Sequence, residues 1–292
     1  MPNWVQAQEE ITRLAGMQLF FVGGAPRSGT TWLQQILNAH PDVCCLGEGL
    51  FPRQLAAPLD QMMAARRKAL EEKNNRIFRH TGGYPLPSDD DADVLLGTAI
   101  LLALRRQSAS CTCRALGEKT PENVFLFPRL RRLFPTARFV GIARDPRDVL
   151  TSAWHFFRSP TTGKEVEEEK KAFIQVALPA MVESTRIMIG MLKNHRDHCR
   201  IVTYETLIRD PVPAVADLFR FLGVEAAEYV VAECLAKSSF LKQAGRAAGI
   251  EQNGSFFRRG VVGDWVSTLT PEMNAIVLRQ LGWSFPHFGW QA

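Results

Sequence analysis

Between Leu19 and Leu33 the chain reads Leu-Phe-Phe-Val-Gly-Gly-Ala-Pro-Arg-Ser-Gly-Thr-Thr-Trp-Leu, and this stretch constrains the fold more than any other. Leu19 to Val22 is wholly apolar, which suits a strand buried on both faces of a parallel sheet. Gly23, Gly24, Pro26 and Gly29 break the run into a tight loop, and from Thr30 onward Trp32, Leu33, Ile36 and Leu37 recur at helical spacing. A strand, a glycine-rich turn and a helix start together make an anion site. The first N–H groups of the helix have no partner within it, and the positive end of its dipole faces the same way.

The spacing Gly24-x-x-x-x-Gly29 is that of a Walker A loop, but Thr30 stands where the loop's lysine should follow. The cation comes earlier, as Arg27. In a P-loop NTPase that lysine reaches the β- and γ-phosphates and the next hydroxyl holds magnesium. Without it the loop still grips phosphate but is poorly equipped to move a γ-phosphoryl group. The strongest strand, Arg138 to Ala143, runs into Arg144-Asp145-Pro146-Arg147-Asp148, so an arginine replaces the magnesium-binding aspartate of a Walker B strand. A P-loop kinase or NTPase is the alternative reading, and both of its signatures are missing. A nucleotide-binding protein without activity would keep the loop and Arg144 but need no base.

Further strands are expected at Val43 to Leu46, Arg114 to Gly117 and Ile201 to Tyr204, most of them separated by helices. The segment from 164 to 195 reads as a long helix that Pro179 should kink or split. Thr270-Pro271-Glu272 is a capping pattern for a last helix, and Ser238 to Ser255 reads as a mobile loop. The pattern predicts an α/β fold in three layers, α/β/α, with a central parallel sheet of the P-loop NTPase-like kind. Residues 1–292 are expected to form one domain with a helical insertion at about 53–110, placed as an acceptor-side wall or lid.

The net charge of +5 points to anionic ligands, but Arg and Lys are spread along the chain. Local anion pockets are therefore expected, and no nucleic-acid partner. The first sixteen residues lack a signal-peptide pattern and no apolar run approaches the ~20 residues of a membrane span, which predicts a cytoplasmic protein with no membrane span. Of the six cysteines, Cys44-Cys45 and Cys111-x-Cys113 are too close together for the usual zinc pairs. Reduced, mostly buried thiols and no metal are expected.

Four separated elements, in order, resemble the sulfotransferases that use 3′-phosphoadenosine-5′-phosphosulfate (PAPS). Pro26 to Trp32 is similar to that family's loop around the 5′-phosphosulfate, which implies contacts from Arg27, Ser28, Gly29, Thr30 and Thr31, with Trp32 against the adenine. Arg144 and Ser152 resemble the family's clamp on the 3′-phosphate, and Tyr204-Glu205 its Tyr-Glu near a later strand end. Ser238-Ser239-Phe240 and Phe257-Arg258-Arg259-Gly260 look like its adenine and 3′-phosphate loops. Arg forks suit phosphate oxygens, and PAPS is anionic at two ends.

One departure stands out. Cytosolic members of the family place a catalytic histidine shortly after a Lys-Thr pair, whereas here Lys119-Thr120 is followed by Pro121. Tyrosylprotein and several bacterial members resemble this chain in a Pro-x-x-x-x-x-Gly-Glu setting, here Pro41 to Glu48. The resemblance implies Glu48 as base, ahead of Glu118, Glu122 and His155, with Lys119 and Arg27 stabilising charge on the sulfuryl and bridging oxygens. It implies sulfuryl transfer from PAPS to a hydroxyl or amine acceptor without a metal. The identity of the acceptor and any oligomer stay open.

Overall fold

The computed structural model describes residues 3–109, 112–157, 164–247, 249–250 and 259–292. In chain order they form α1 (Trp4–Ala15), β1 (Gln18–Gly24), α2 (Thr30–Asn38), β2 (Val43–Cys44), α3 (Ala57–Ile77), α4 (Asp89–Ser108), β3 (Ala115–Lys119), α5 (Asn123–Leu133) and β4 (Arg138–Ala143). There follow α6 (Pro146–Phe157), α7 (Lys164–Asn194), β5 (Cys199–Thr203), α8 (Tyr204–Arg209), α9 (Pro211–Leu222), α10 (Glu228–Lys237), α11 (Phe240–Ala244), α12 (Pro271–Leu281) and α13 (Phe285–Phe288). One turn of π-helix, Phe51–Ala56, leads into α3.

The strands make one parallel sheet in the order β2-β3-β1-β4-β5. Both faces are covered, as the unbroken apolar run of β1 requires. Leu19 and Phe21 point into a core shared with α1, α4, α5 and α7, whereas Phe20 and Val22 point into a second core built with α2, α9 and α10. Each such buried side chain contributes roughly 1.5–3 kcal/mol. A third cluster joins α6, α7 and α12. From β1 the chain passes over β3 to reach β2, then returns across β1 to β4. That reversal opens a crevice at the carboxyl ends of the strands, where ligands of such sheets bind.

Several expectations need correction. β2 stops at Cys44, because Gln107 from α4 takes over its next pairing positions, donating to Cys44 O and Gly117 O and accepting from Leu46 N. β3 runs on through Glu118 and Lys119, while β5 starts at Cys199 and leaves Tyr204 to open a helix. Pro179 does not split α7; Leu178, Met181 and Val182 bury the surrounding turns against α6 and α12, and that packing overrides the lost hydrogen bond. Within Val166–Asn194 this helix is long and apolar enough to cross a membrane, by length and composition alone. Such a segment was not expected; here one face of it packs into the protein core.

Cys44 is disulfide-bonded, contrary to the expectation of reduced thiols, whereas Cys45, Cys113, Cys199 and Cys234 are free. Disulfides persist in oxidising compartments, so the thiol argument for a cytoplasmic location does not hold. Part of the loop expected at 238–255 is the short helix α11, and residues 251–258 lie outside the described residues.

Candidate active site

β1 delivers the chain to the crevice at Gly24, and the next five residues turn it into α2. The turn depends on glycine at two points. A Cβ on Gly24 would lie 2.4 Å from Ile142 O, and Gly29 has φ 100° with its Cα against the Tyr204 ring, where a Cβ would sit 2.7 Å away. Gly29 caps α2 without a side-chain acceptor, so the first N–H groups of the helix remain available to an anion. Arg27 also adopts a left-handed backbone, φ 72°, which is strained for a residue with a side chain. It places the guanidinium 4.3 Å over the Phe156 ring with Nε 3.4 Å from Ser152 Oγ on α6. Ser28 is buried and its hydroxyl donates to Ala25 O at 2.7 Å, shaping the loop from behind.

β4 delivers Arg144. Its side chain is nearly buried, donates to Val261 O (2.8 Å) and Arg27 O (3.3 Å), and lies 4.3 Å over the Tyr204 ring. Its Nε is buried with no hydrogen-bond partner among the described residues, and buried polar donors are ordinarily partnered. The neighbouring charges serve the fold. Arg147 forms a forked pair with Asp145 (2.7 Å) and stacks on Trp265. Asp148 accepts from Gly263 N (2.8 Å) and Trp265 N (3.0 Å), tying down the segment that carries Arg259 and Gly260. Burial pushes the Asp148 carboxyl upward, against the downward pull of Arg144. Glu205 accepts from Asp145 N and Trp290 Nε1 and so anchors the strand-end loop to the C-terminal segment.

β3 delivers Lys119. Its ammonium is almost fully buried and reaches two partners, Glu48 Oε1 at 2.5 Å and Thr31 Oγ1 at 3.1 Å. Glu48 is the more exposed partner, at 39%. Trp32 stands edge-on to Tyr204 and donates to Ser238 O at 3.1 Å, fixing its indole beside α10 and α11. Burial pushes the Tyr204 hydroxyl above its ordinary value.

These groups surround a single cavity of about 300 Å³. Of the residues expected in the site, Arg27, Gly29, Thr30, Thr31, Trp32, Glu48, Arg144, Ser152, Tyr204, Phe240, Arg259 and Gly260 line it. Ser28 and Ser239 do not, and Lys119 lies behind Glu48 and Thr31. Phe257 and Arg258 lie outside the described residues. Among the other candidate bases, Glu118 is buried behind the loop and Glu122 lines the wall but is paired with Arg53 at 3.0 Å. His155 does not line the cavity. The sequence reading missed Phe156, Phe157, Ile208, Gln243, Val261 and Asp264 in the wall. The i, i+4 relation of Arg144 and Asp148 was a signal for the loop anchor. No lining residue comes from the helical insertion, and its helix α4 packs instead into the core. The described residues contain no cluster of side chains able to hold a metal.

A parallel sheet covered by helices on both faces, with an uncapped helix start after β1, defines a three-layer α/β protein. Residues 20–228 match the sulfotransferase family, and the chain belongs to that family. A relative in Caenorhabditis briggsae, provisionally named a protein-tyrosine sulfotransferase, is 30% identical over 214 residues, covering 73% of this chain and 68% of the relative. Protein-tyrosine sulfotransferase 2 of Gallus gallus is 29% identical over 218 residues, covering 74% of this chain and 53% of its own length. The chain thus spans about two thirds of the first relative and about half of the second, and 38% of the length of the Drosophila melanogaster protein-tyrosine sulfotransferase. Among solved structures, a mouse sulfotransferase complexed with PAP shares the fold, with a TM-score of 0.59, 18% identity, and 96% of this chain and 90% of that one covered.

Proposed function

We propose that this chain transfers the sulfuryl group of PAPS to an acceptor hydroxyl, giving a sulfate ester and adenosine 3′,5′-bisphosphate. The observation that carries the reading is that the uncapped helix start at Gly29, the partly unpartnered Arg144 and the Glu48 carboxylate all open into one cavity. A P-loop kinase has no use for an arginine at the end of β4 or for threonine at position 30. The relatives named for protein-tyrosine sulfation support a hydroxyl acceptor.

The residues fit PAPS at both of its anionic ends. The N–H groups at the start of α2, with Thr30, Thr31 and Arg27, hold the 5′-phosphosulfate. Arg144, Ser152 and Arg259 take the 3′-phosphate; the Nε of Arg259, like that of Arg144, lacks a partner among the described residues. Trp32, Tyr204 and Phe240 enclose the adenine. PAPS supplies a sulfuryl group already activated on a phosphate. Glu48 takes the acceptor's hydroxyl proton as the acceptor oxygen bonds to sulfur and the bond from sulfur to the bridging phosphate oxygen breaks. Lys119 holds Glu48 Oε1 and leaves Oε2 to receive that proton. The ammonium and Arg27 offset the charge that builds on the sulfuryl and bridging oxygens.

The test is turnover of radiolabelled PAPS with a panel comprising a tyrosine peptide, a simple phenol, an aliphatic alcohol and an amine, all without magnesium. Label transfer to a hydroxyl member is expected. Transfer to none of them, or a requirement for magnesium, contradicts the reading.

A further inference from the structure

We infer that Glu118 is the positioning residue that sets the base loop, acting through Glu48; this rests on the assignment of Glu48 as base. The starting point is the short β2. Its pairing with β3 ends at Cys44 opposite Leu116, three residues before Gly47, yet the chain continues alongside β3 to Leu50. Over that distance side chains replace most of the ladder, with one backbone bond retained. Gln107 bridges Cys44 O, Leu46 N and Gly117 O. Lys119 N donates to Gly47 O at 3.3 Å. Glu118 Oε1 accepts from Gly49 N at 2.6 Å, and Thr120 Oγ1 accepts from Leu50 N at 3.1 Å while donating to Glu118 Oε1 at 2.6 Å.

The loop needs this restraint. Glu48 is flanked by Gly47 and Gly49, which allow many backbone conformations. Leu46 and Leu50 are exposed, so apolar packing does little to hold it. Leu50 has φ 53°, a left-handed conformation that costs of order 1–3 kcal/mol and persists only where the surroundings impose it.

Glu118 is suited to impose it. The carboxylate is 2% exposed, and burial of a charge is costly unless hydrogen bonds compensate. Its oxygens take donors from three directions: Gly49 N, the Thr120 hydroxyl and Asn123 Nδ2 at 2.5 Å. The same Asn123 amide donates to Val22 O on β1, the strand that feeds the phosphate loop. One buried carboxylate therefore ties the base loop to the strand behind the phosphate loop, fixing the base relative to the transferred group. The adjacent Lys119 ammonium is directed elsewhere, to Glu48 and Thr31. Burial raises the Glu118 carboxyl from its ordinary value, with the three donors and Lys119 opposing that rise.

Two measurements test the inference. Amide hydrogen exchange of Glu118→Leu should show protection over residues 46–51 falling by about tenfold or more, with α2 and β4 unchanged. Unchanged protection there overturns the inference, whatever the acceptor. The second is a kinetic cycle with the best acceptor of the panel. Glu118→Leu should lower kcat by ~10 to 10², with affinity for adenosine 3′,5′-bisphosphate kept, since misplacing a catalytic group by about 1 Å costs on that order. In a Glu48→Gln background the same change should cost nothing further, because the residue acts through the base. Glu118→Gln retains an acceptor oxygen for Gly49 and should recover most of the turnover; Glu118→Ala, which removes that acceptor as the leucine variant does, carries the cycle if Glu118→Leu does not fold. An equal loss with and without Glu48 shows that Glu118 acts independently of the base and overturns the inference. A Glu48→Gln enzyme with full turnover instead removes the base assignment itself, a distinct result.

Discussion

The Lys119 ammonium bridges Glu48 Oε1 at 2.5 Å and Thr31 Oγ1 at 3.1 Å, joining the loop that carries Glu48 to the first turn of α2. A strand-end residue thus connects the group proposed to take the proton with the helix proposed to hold the phosphosulfate. Lys119 is almost fully buried whereas Glu48 is not, so the cation is fixed and the carboxylate stands at the cavity wall.

Glu48→Gln keeps the shape of the side chain but removes its capacity to take a proton. Turnover should fall by ~10² to 10⁴, the usual range for positioned general base catalysis, while adenosine 3′,5′-bisphosphate binds as before. Steady-state kinetics alongside calorimetry separate the two effects, and an unaffected kcat places the base elsewhere.

Arg144→Ala removes charged donors from the side of the cavity proposed to hold the 3′-phosphate. Affinity for adenosine 3′,5′-bisphosphate should fall by ~10- to 100-fold, in line with hydrogen bonds to charged groups, and affinity for 5′-AMP should stay unchanged. Equal losses for both nucleotides mean that Arg144 supports the loop and not the 3′-phosphate.

Gly29→Ala introduces a Cβ 2.7 Å from the Tyr204 ring at a residue with φ 100°. The left-handed backbone alone costs roughly 1–2 kcal/mol. Chemical denaturation should show at least that loss, with nucleotide binding weakened because the start of α2 must shift. Wild-type stability in this variant contradicts the described loop geometry.

The buried Glu118 gives a pH dependence of defined sign. Its carboxyl is raised in the folded protein from a reference of 4.5, so the folded state holds the proton more tightly than the unfolded chain. The group therefore opposes folding increasingly as pH rises from about 4.5 through the elevated folded value, and the effect is absent below 4.5. Melting curves of the wild type and Glu118→Gln should show the wild type losing ground to the variant across that window and a constant difference above it. A wild type that gains on the variant over the same window contradicts the sign.

The phosphate loop and Arg144 were legible in the sequence because their chemistry is local: Gly24 to Thr31 and Arg138 to Asp148 each carry strand, turn and helix start in one short run. The sheet followed from the same runs, since Phe20 and Phe21 are both apolar and must face opposite cores. Glu48 was reached through a resemblance, because one acid between two glycines has no distinctive local signature. The devices that hold it were not legible. Glu118 meets Gly49 across 69 residues and Gln107 meets Leu46 across 61, and nothing in the sequence indicates such pairings. Pro179 was expected to kink or split its helix; the split does not occur for a related reason, because packing from α6 and α12 holds α7 in one piece.

The central claim is that one cavity holds both anionic ends of the same nucleotide. Calorimetric titration with adenosine 3′,5′-bisphosphate in the absence of magnesium, repeated with 5′-AMP, tests it most directly. The account predicts clear binding of the bisphosphate and a loss of ~10-fold or more when the 3′-phosphate is removed. Equal affinity for the two nucleotides, or no binding without magnesium, would contradict it.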